Sequence, residues 1–313
     1  MRLYGKAALK ERLDYTAAAN RLPHAIMLHG ERGCGRRTAA KYIAQLFMCG
    51  APPCGSCTTC TRIEQGIHPD VVYAKQMCDG KYSAEKIREV VASAAIKPND
   101  GAVKIYIFED SDEMNVTVQN TLLKIIEEPA SYLRFIFTCE NTNNILTTIQ
   151  SRVTTHDVPT PSPEECCAYL TANGVDAAKA QELSELLSGN IGKCLEVLED
   201  GAEARLMDTA RHAAEGIAKR SAFTTAAALS EQSGRAEFAA VLEYLAGILR
   251  DALASRCGAP LSSCGKGEAQ AIAAAYNEAD ITNMLDELFK VISHRDYNIN
   301  LALSASYLTS KLF

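Results

Sequence analysis

Gly30-Glu31-Arg32-Gly33-Cys34-Gly35-Arg36-Arg37-Thr38 has the outline of a phosphate-binding loop without its working side chains. A working loop reads Gly-x4-Gly-Lys-Ser/Thr between a strand and a helix. Its backbone N–H groups cradle phosphates, its lysine reaches the terminal ones and its hydroxyl holds Mg²⁺. Gly30 and Gly35 stand at the right separation, with Gly33 between them. The lysine place holds Arg36 and the hydroxyl place holds Arg37. Thr38 comes one residue late, and one step along a helix turns a side chain by roughly 100°. Arginine is bulkier than lysine and is not placed as a compact ammonium is, so ATP binding is expected to be weak at best, without useful turnover.

Two further groups bear chemistry. Cys49-x4-Cys54-x2-Cys57-x2-Cys60 puts four thiols on one short Gly/Pro-containing segment, a donor set that suits tetrahedral Zn²⁺. Four sulfurs close the shell, so such a zinc is structural. Four unligated thiols are the plainer reading, and His68 is a competing ligand, although a histidine before Pro69 is more simply a loop residue. Glu109-Asp110 ends an apolar run. In an active ATPase of this kind, Asp for Mg²⁺ precedes Glu for water. The reversed order puts a longer glutamate where a short aspartate should hold the metal. Ordinary strand-end acids are the alternative.

The elements that must position these groups follow from periodicity. Leu3, Leu9, Leu13 and Ala17 fit an opening helix. Ala25–His29, Asp70–Ala74, Val103–Phe108 and Leu133–Thr138 read as strands, too apolar to face water, as in a covered parallel sheet. Helices are expected from Arg37 to Met48, after the N-cap Ser83, from Thr117 to Ile126, and over Ile145–Ile149, leading into Ser151-Arg152. Alternation of strand and helix argues for an α/β domain. Pro159, Pro161 and Pro163 mark its end. Beyond them no convincing strand appears: Glu164–Tyr169, Ala177–Leu187 and Ile191–Leu198 form a small helical section, and the pattern from about Glu203 is helical throughout. Phe238, Val241, Leu242, Leu245, Ile248, Leu249, Ala252 and Leu253 fall on one stripe, and Ile281, Met284, Leu285, Leu288 and Ile292 repeat it.

The 313 residues suffice for two or three domains, and a hydrophobic content of 47% is that of an ordinary globular chain. The start, Met1 to Lys6, has no apolar signal core, so a cytoplasmic location is expected. Twelve cysteines are then reduced thiols or metal ligands, with Cys166, Cys167 and Cys194 as small core residues. A net charge of −6 argues against gripping DNA over a broad surface unaided.

With Cys49 to Cys60 stand Arg21-Leu22-Pro23-His24-Ala25, His68-Pro69-Asp70, Leu122-Leu123-Lys124-Ile125-Ile126-Glu127-Glu128-Pro129 and Ile149-Gln150-Ser151-Arg152. Together they span the first half of the chain and resemble bacterial DNA polymerase III clamp-loader subunits of the AAA+ class. The resemblance implies an α/β AAA+ P-loop domain with a parallel sheet, a small helical lid and an all-α C-terminal collar. It places these at 1–158 (with a zinc module at 49–60), 159–202 and 203–313. The motor subunits of that family carry Lys-Ser/Thr, Asp-Glu and a lid Gly-Ser-x-Arg. Here the lid reads Gly189-Asn190-Ile191-Gly192, with glycine in the arginine's place. Three altered elements together are similar to the delta-prime type, a stator without hydrolysis. Two departures are the short Cys49–Cys54 interval and Val153 where the family has cysteine. The resemblance further implies that Arg152, with Ser151, is an arginine finger for ATP on a neighbouring motor subunit. A helix-end arginine in a local salt bridge is the plainer reading. Implied partners are the gamma/tau motor and delta subunits and, indirectly, the sliding clamp and primer-template DNA. The competing functions are an ATP-hydrolysing, gamma/tau-like motor with Arg36 in place of lysine, and a zinc-dependent nucleic-acid binder.

Overall fold

A computed structural model describes residues 3–199, 202–230, 234–293 and 300–313. Met1 and Arg2 lie outside these residues, as does the stretch at 200–201 beside the expected lid–collar junction. The chain forms two compact units, Met1–Ser184 with Ser188–Gly192, and Glu185–Leu187 with Lys193–Phe313.

The first unit runs α1 (Ala7–Ala18), β1 (Ala25–His29), α2 (Arg36–Cys49), α3 (Thr58–Gln65), β2 (Val71–Tyr73), α4 (Ala74–Met77), α5 (Ala84–Ser93), β3 (Lys104–Phe108), α6 (Val116–Glu127), β4 (Leu133–Cys139), α7 (Thr147–Gln150) and β5 (Thr154–Asp157). Helices α8 (Pro163–Ala172) and α9 (Ala177–Leu186) follow, and α10 (Ile191–Glu199) begins at its last residues. The strands form one parallel sheet in the order β2-β3-β4-β1-β5. This is an all-parallel α/β arrangement.

Strand periodicity sorts the core into two faces. Ile26, Leu28, Ile105, Ile107 and Ile136 turn an aliphatic face to Leu9 and Leu13 of α1 and Ala40 and Ile43 of α2. Met27, Tyr106, Phe108, Phe135 and Phe137 turn an aromatic face to Ile87 and Val90 of α5 and Val118 and Leu122 of α6. Phe108 and Phe137 stack with centroids 4.9 Å apart. With both faces covered, the carboxyl ends of β1, β3 and β4 form one rim, where open parallel sheets place ligands.

Three expectations shift. The second strand is shorter than Asp70–Ala74, because the fully buried Asp70 carboxylate is turned aside. It accepts the backbone N–H groups of Asn99, Asp100 and Gly101 at 2.6, 2.8 and 3.0 Å. The short helix α7 begins at Thr147 rather than Ile145. A fifth strand, β5, pairs with β1, although Thr154-Thr155-His156-Asp157 offers no buried residue to betray it.

The second unit continues through α11 (Ala202–Ala218), α12 (Ala222–Ser230), α13 (Arg235–Arg256), α14 (Lys266–Ala275), α15 (Glu278–Ser293) and α16 (Leu301–Leu312). The expected stripe of α13 is its core. Phe238, Leu242, Leu245 and Leu249 pack with Ile217 of α11, Ile272 of α14, Leu288 of α15 and Leu308 of α16. No helix among the described residues is long and apolar enough to cross a membrane.

Candidate functional site

The loop from Gly30 to Gly35 leaves the buried β1 and enters α2 at the rim. Gly35 caps α2 with φ +100°, a conformation that L side chains rarely adopt. Arg36 therefore starts the helix with its side chain turned inward, only 8% exposed. Its Nη2 donates to Asp110 Oδ1 at 3.3 Å, while Nη1 is buried without a partner among the described residues. Arg37 donates from Nε to Glu109 Oε1 in a short ion pair. Thr38 is half-buried on the first turn of α2.

The acids at the end of β3 are thus met by Arg36 and Arg37. Glu109 is buried. Asp110 takes φ +48°, and its backbone N–H donates to Thr138 Oγ1 at 2.9 Å. Lys75 joins them, 2.9 Å from Asp110 Oδ2 and 2.7 Å from Glu113 Oε2. Where an ATPase would hold Mg²⁺, the carboxylates already hold guanidinium and ammonium. Lys6 adds a further cation at the loop. It is buried, donates to Tyr4 O at 2.9 Å, and burial pulls its pKa below the ordinary lysine value. A Cβ at Gly35 would lie 3.4 Å from its Nζ.

The first turn of α10 and Asn190 just before it close on the same loop. Gly192 N donates to Gly33 O at 3.0 Å, and Asn190 Nδ2 donates to Arg32 O at 2.8 Å. A Cβ at Gly192 would stand 2.4 Å from Gly33 Cα, so no side chain fits there without displacement. The loop, acid and lid positions are brought together as one site. Lys6, Lys75 and Glu113 belong to it too, and no spacing in the sequence singles them out.

Arg152 lies just past α7. Its Nη2 is 2.5 Å from Glu127 Oε1, and its Nη1 donates to Thr148 O at 2.7 Å and Ser151 Oγ at 3.0 Å. The local salt bridge of the plainer reading is therefore present, on a partly exposed side chain. Gln119 of α6 steadies this corner. Its Nε2 donates to Met114 O and Asn144 O, and its Oε1 accepts from Leu146 N, each at 2.8 Å.

The four cysteines converge, all sulfurs within 4.8 Å of one another. Cys49 Sγ lies 3.6 Å from Cys54 Sγ and 3.8 Å from Cys57 Sγ. Tetrahedral zinc with bonds of about 2.3 Å would set sulfurs about 3.8 Å apart. Backbone N–H groups of Cys54, Cys57 and Cys60 point at Sγ of Cys49, Cys54 and Cys57 at 3.5, 3.3 and 3.4 Å. Donors from Ser56 and Cys57 hold the Cys54 thiol down to about 6, favouring the thiolate a metal needs. His68 stands apart from this cluster. Its Nδ1 accepts from Asp70 N at 3.1 Å.

Residues 5–162, just over half of the chain, match the family model described as "DNA polymerase III, delta subunit". The DNA polymerase III subunit delta' of Bacillus subtilis (strain 168) is 30% identical over 193 residues, 59% of this chain and 57% of that protein. The delta' subunit of Pseudomonas aeruginosa is 29% identical over 170 residues, 53% of this chain and 52% of that protein. The subunit tau/gamma of Haemophilus influenzae is 33% identical over 137 residues, 42% of this chain and 20% of that protein. The chain thus spans only a little over half the length of the delta' relatives.

Proposed function

Because the chain belongs to the DNA polymerase III delta-subunit family and is of the delta-prime clamp-loader type, we propose that it is the loader's non-hydrolysing stator. In this reading it closes the ring of motor subunits, contacts the delta subunit, and helps place the sliding clamp on primed DNA in the cytoplasm. Arg152 is lent to ATP held by a neighbouring motor subunit.

The pairing of Arg36 with Asp110 and Arg37 with Glu109 carries the reading. Mg²⁺-ATP would have to break both pairs and then find neither the phosphate lysine nor the metal hydroxyl. The lid contact at Gly33 closes the site further. The gamma/tau relative favours the second reading, a motor with Arg36 in lysine's role. Against it, the Arg36 guanidinium is buried on an aspartate rather than presented to a phosphate.

Cys49, Cys54, Cys57 and Cys60 would hold zinc as a closed, structural centre that fixes the α2–α3 turn. For Arg152 to act, its bond to Glu127 must be exchanged for phosphoryl oxygens of the neighbour. A planar fork suits that exchange better than a point charge. Arg152→Ala and Arg152→Lys in the reconstituted loader test this. Both are expected to slow turnover at the adjacent site about 10³-fold or more, with assembly intact by gel filtration. Unchanged turnover at that site removes the assignment.

A further inference from the structure

The Arg152 guanidinium is folded back over the end of α7 rather than extended from it. Its Nη1 bonds to Thr148 O and Ser151 Oγ stay within one turn, so they travel with the corner. The Nη2 bond to Glu127 Oε1 is of another kind, because Glu127 ends α6, a separate element. Both terminal nitrogens of the fork are therefore engaged by this chain's own oxygens.

Glu127 is the informative residue. The C-terminal end of a helix carries partial negative charge and favours cations, so a carboxylate in the last turn of α6 works against that helix. Lys124 lies in the same turn, yet among the described residues Glu127 forms an ion pair with Arg152 alone. The pair is at the surface, with the Arg152 side chain 36% and the Glu127 side chain 42% exposed, so it opens at little cost. A carboxylate brings one charge and two oxygens to a guanidinium. The terminal phosphoryl group of a nucleoside triphosphate brings about two charges and three oxygens, and takes the same fork more strongly. A diphosphate lacks that group.

We infer that Glu127 holds Arg152 back on its own subunit until the neighbouring site carries a nucleoside triphosphate, whose terminal phosphoryl group displaces the carboxylate. With a diphosphate the pair stays closed. The inference rests on Arg152 serving that neighbouring site. Glu127 is a positioning residue: it touches Arg152 and not the nucleotide.

The test is ATP turnover by the reconstituted loader with only the motor site beside this chain left competent, for the parent, Glu127→Gln, Arg152→Ala and the double variant. Glutamine keeps the shape of the carboxylate and removes its charge. Opening a half-exposed pair is worth a factor of about 2 to 5. That factor is spent when ATP binds, before the chemical step, so Glu127→Gln is expected to lower KM for ATP by about 2- to 5-fold with kcat retained. Inhibition by ADP is expected to be unchanged. In the Arg152→Ala background the same substitution should leave KM where it was. The inference is overturned if Arg152→Ala slows turnover while Glu127→Gln leaves KM unchanged, raises it or lowers kcat. It is equally overturned if ADP tightens as much as ATP, or if KM falls as far without Arg152. Turnover unaffected by Arg152→Ala removes the finger itself, and the role of Glu127 with it.

Discussion

Gly192 shows how one missing side chain can decide a site. Its N–H reaches Gly33 O only because nothing stands between the lid and the loop. An arginine at this single position, where the clamp-loader resemblance puts one in motor subunits, is therefore expected to bring strain. Gly192→Arg is expected to cost about 1–3 kcal/mol in urea unfolding, as overpacking does. Loss of nothing, together with new ATP affinity, would show that the lid is loosely seated. Asp70 is decided by its hydrogen bonds. Burial pushes its pKa up, yet the N–H groups of Asn99, Asp100 and Gly101 and the Asn99 amide outweigh this and hold it below its ordinary 3.8. The unfolded aspartate therefore takes a proton first as pH falls, so this contribution to stability is present above that range and is lost on acidification. Asp70→Asn should destabilise by about 1–3 kcal/mol at pH 7, and the gap to the parent chain should shrink below about pH 4. A gap independent of pH would mean the carboxylate's charge is not what the turn uses.

Elements differ in how openly the sequence declares them. β1, β3 and β4 are unbroken apolar runs because helices cover both faces, and their ends lie within a residue of expectation. β5 is a short polar edge strand held by backbone pairing to β1, which leaves no mark on side-chain pattern. Helix α3 hides for a related reason. Only Cys60 and Ile63 of Thr58–Gln65 are buried, so no stripe forms. The cysteine cluster was legible because ligand spacing is local. The pairing of Arg36 and Arg37 with Asp110 and Glu109 was not, since it joins positions 74 and 72 residues apart. The zinc reading belongs to this scale. Purified protein should carry one zinc per chain, and its chelation should lower the melting temperature by several degrees and expose the four thiols to a thiol reagent. Metal-free protein with the same melting temperature and four reactive thiols would remove the centre.

At the scale of the molecule, the arrangement is, on the stator proposal, one of withdrawn chemistry on a retained scaffold. The parallel sheet still builds the rim where a nucleotide would sit. Yet the loop, acid and lid positions now bond to one another. The net charge of −6 argues against a broad DNA-binding surface on this chain. In the proposed assembly the Ser151-Arg152 corner, stiffened by Gln119 and held on Glu127, is the part lent to a neighbour. The most direct measurement is steady-state ATP hydrolysis by the full chain alone with Mg²⁺ in excess. The account predicts no turnover above the uncatalysed background. Turnover of about 1 s⁻¹ or faster, at the lower end of ordinary enzymes, abolished by removing Mg²⁺, would contradict it.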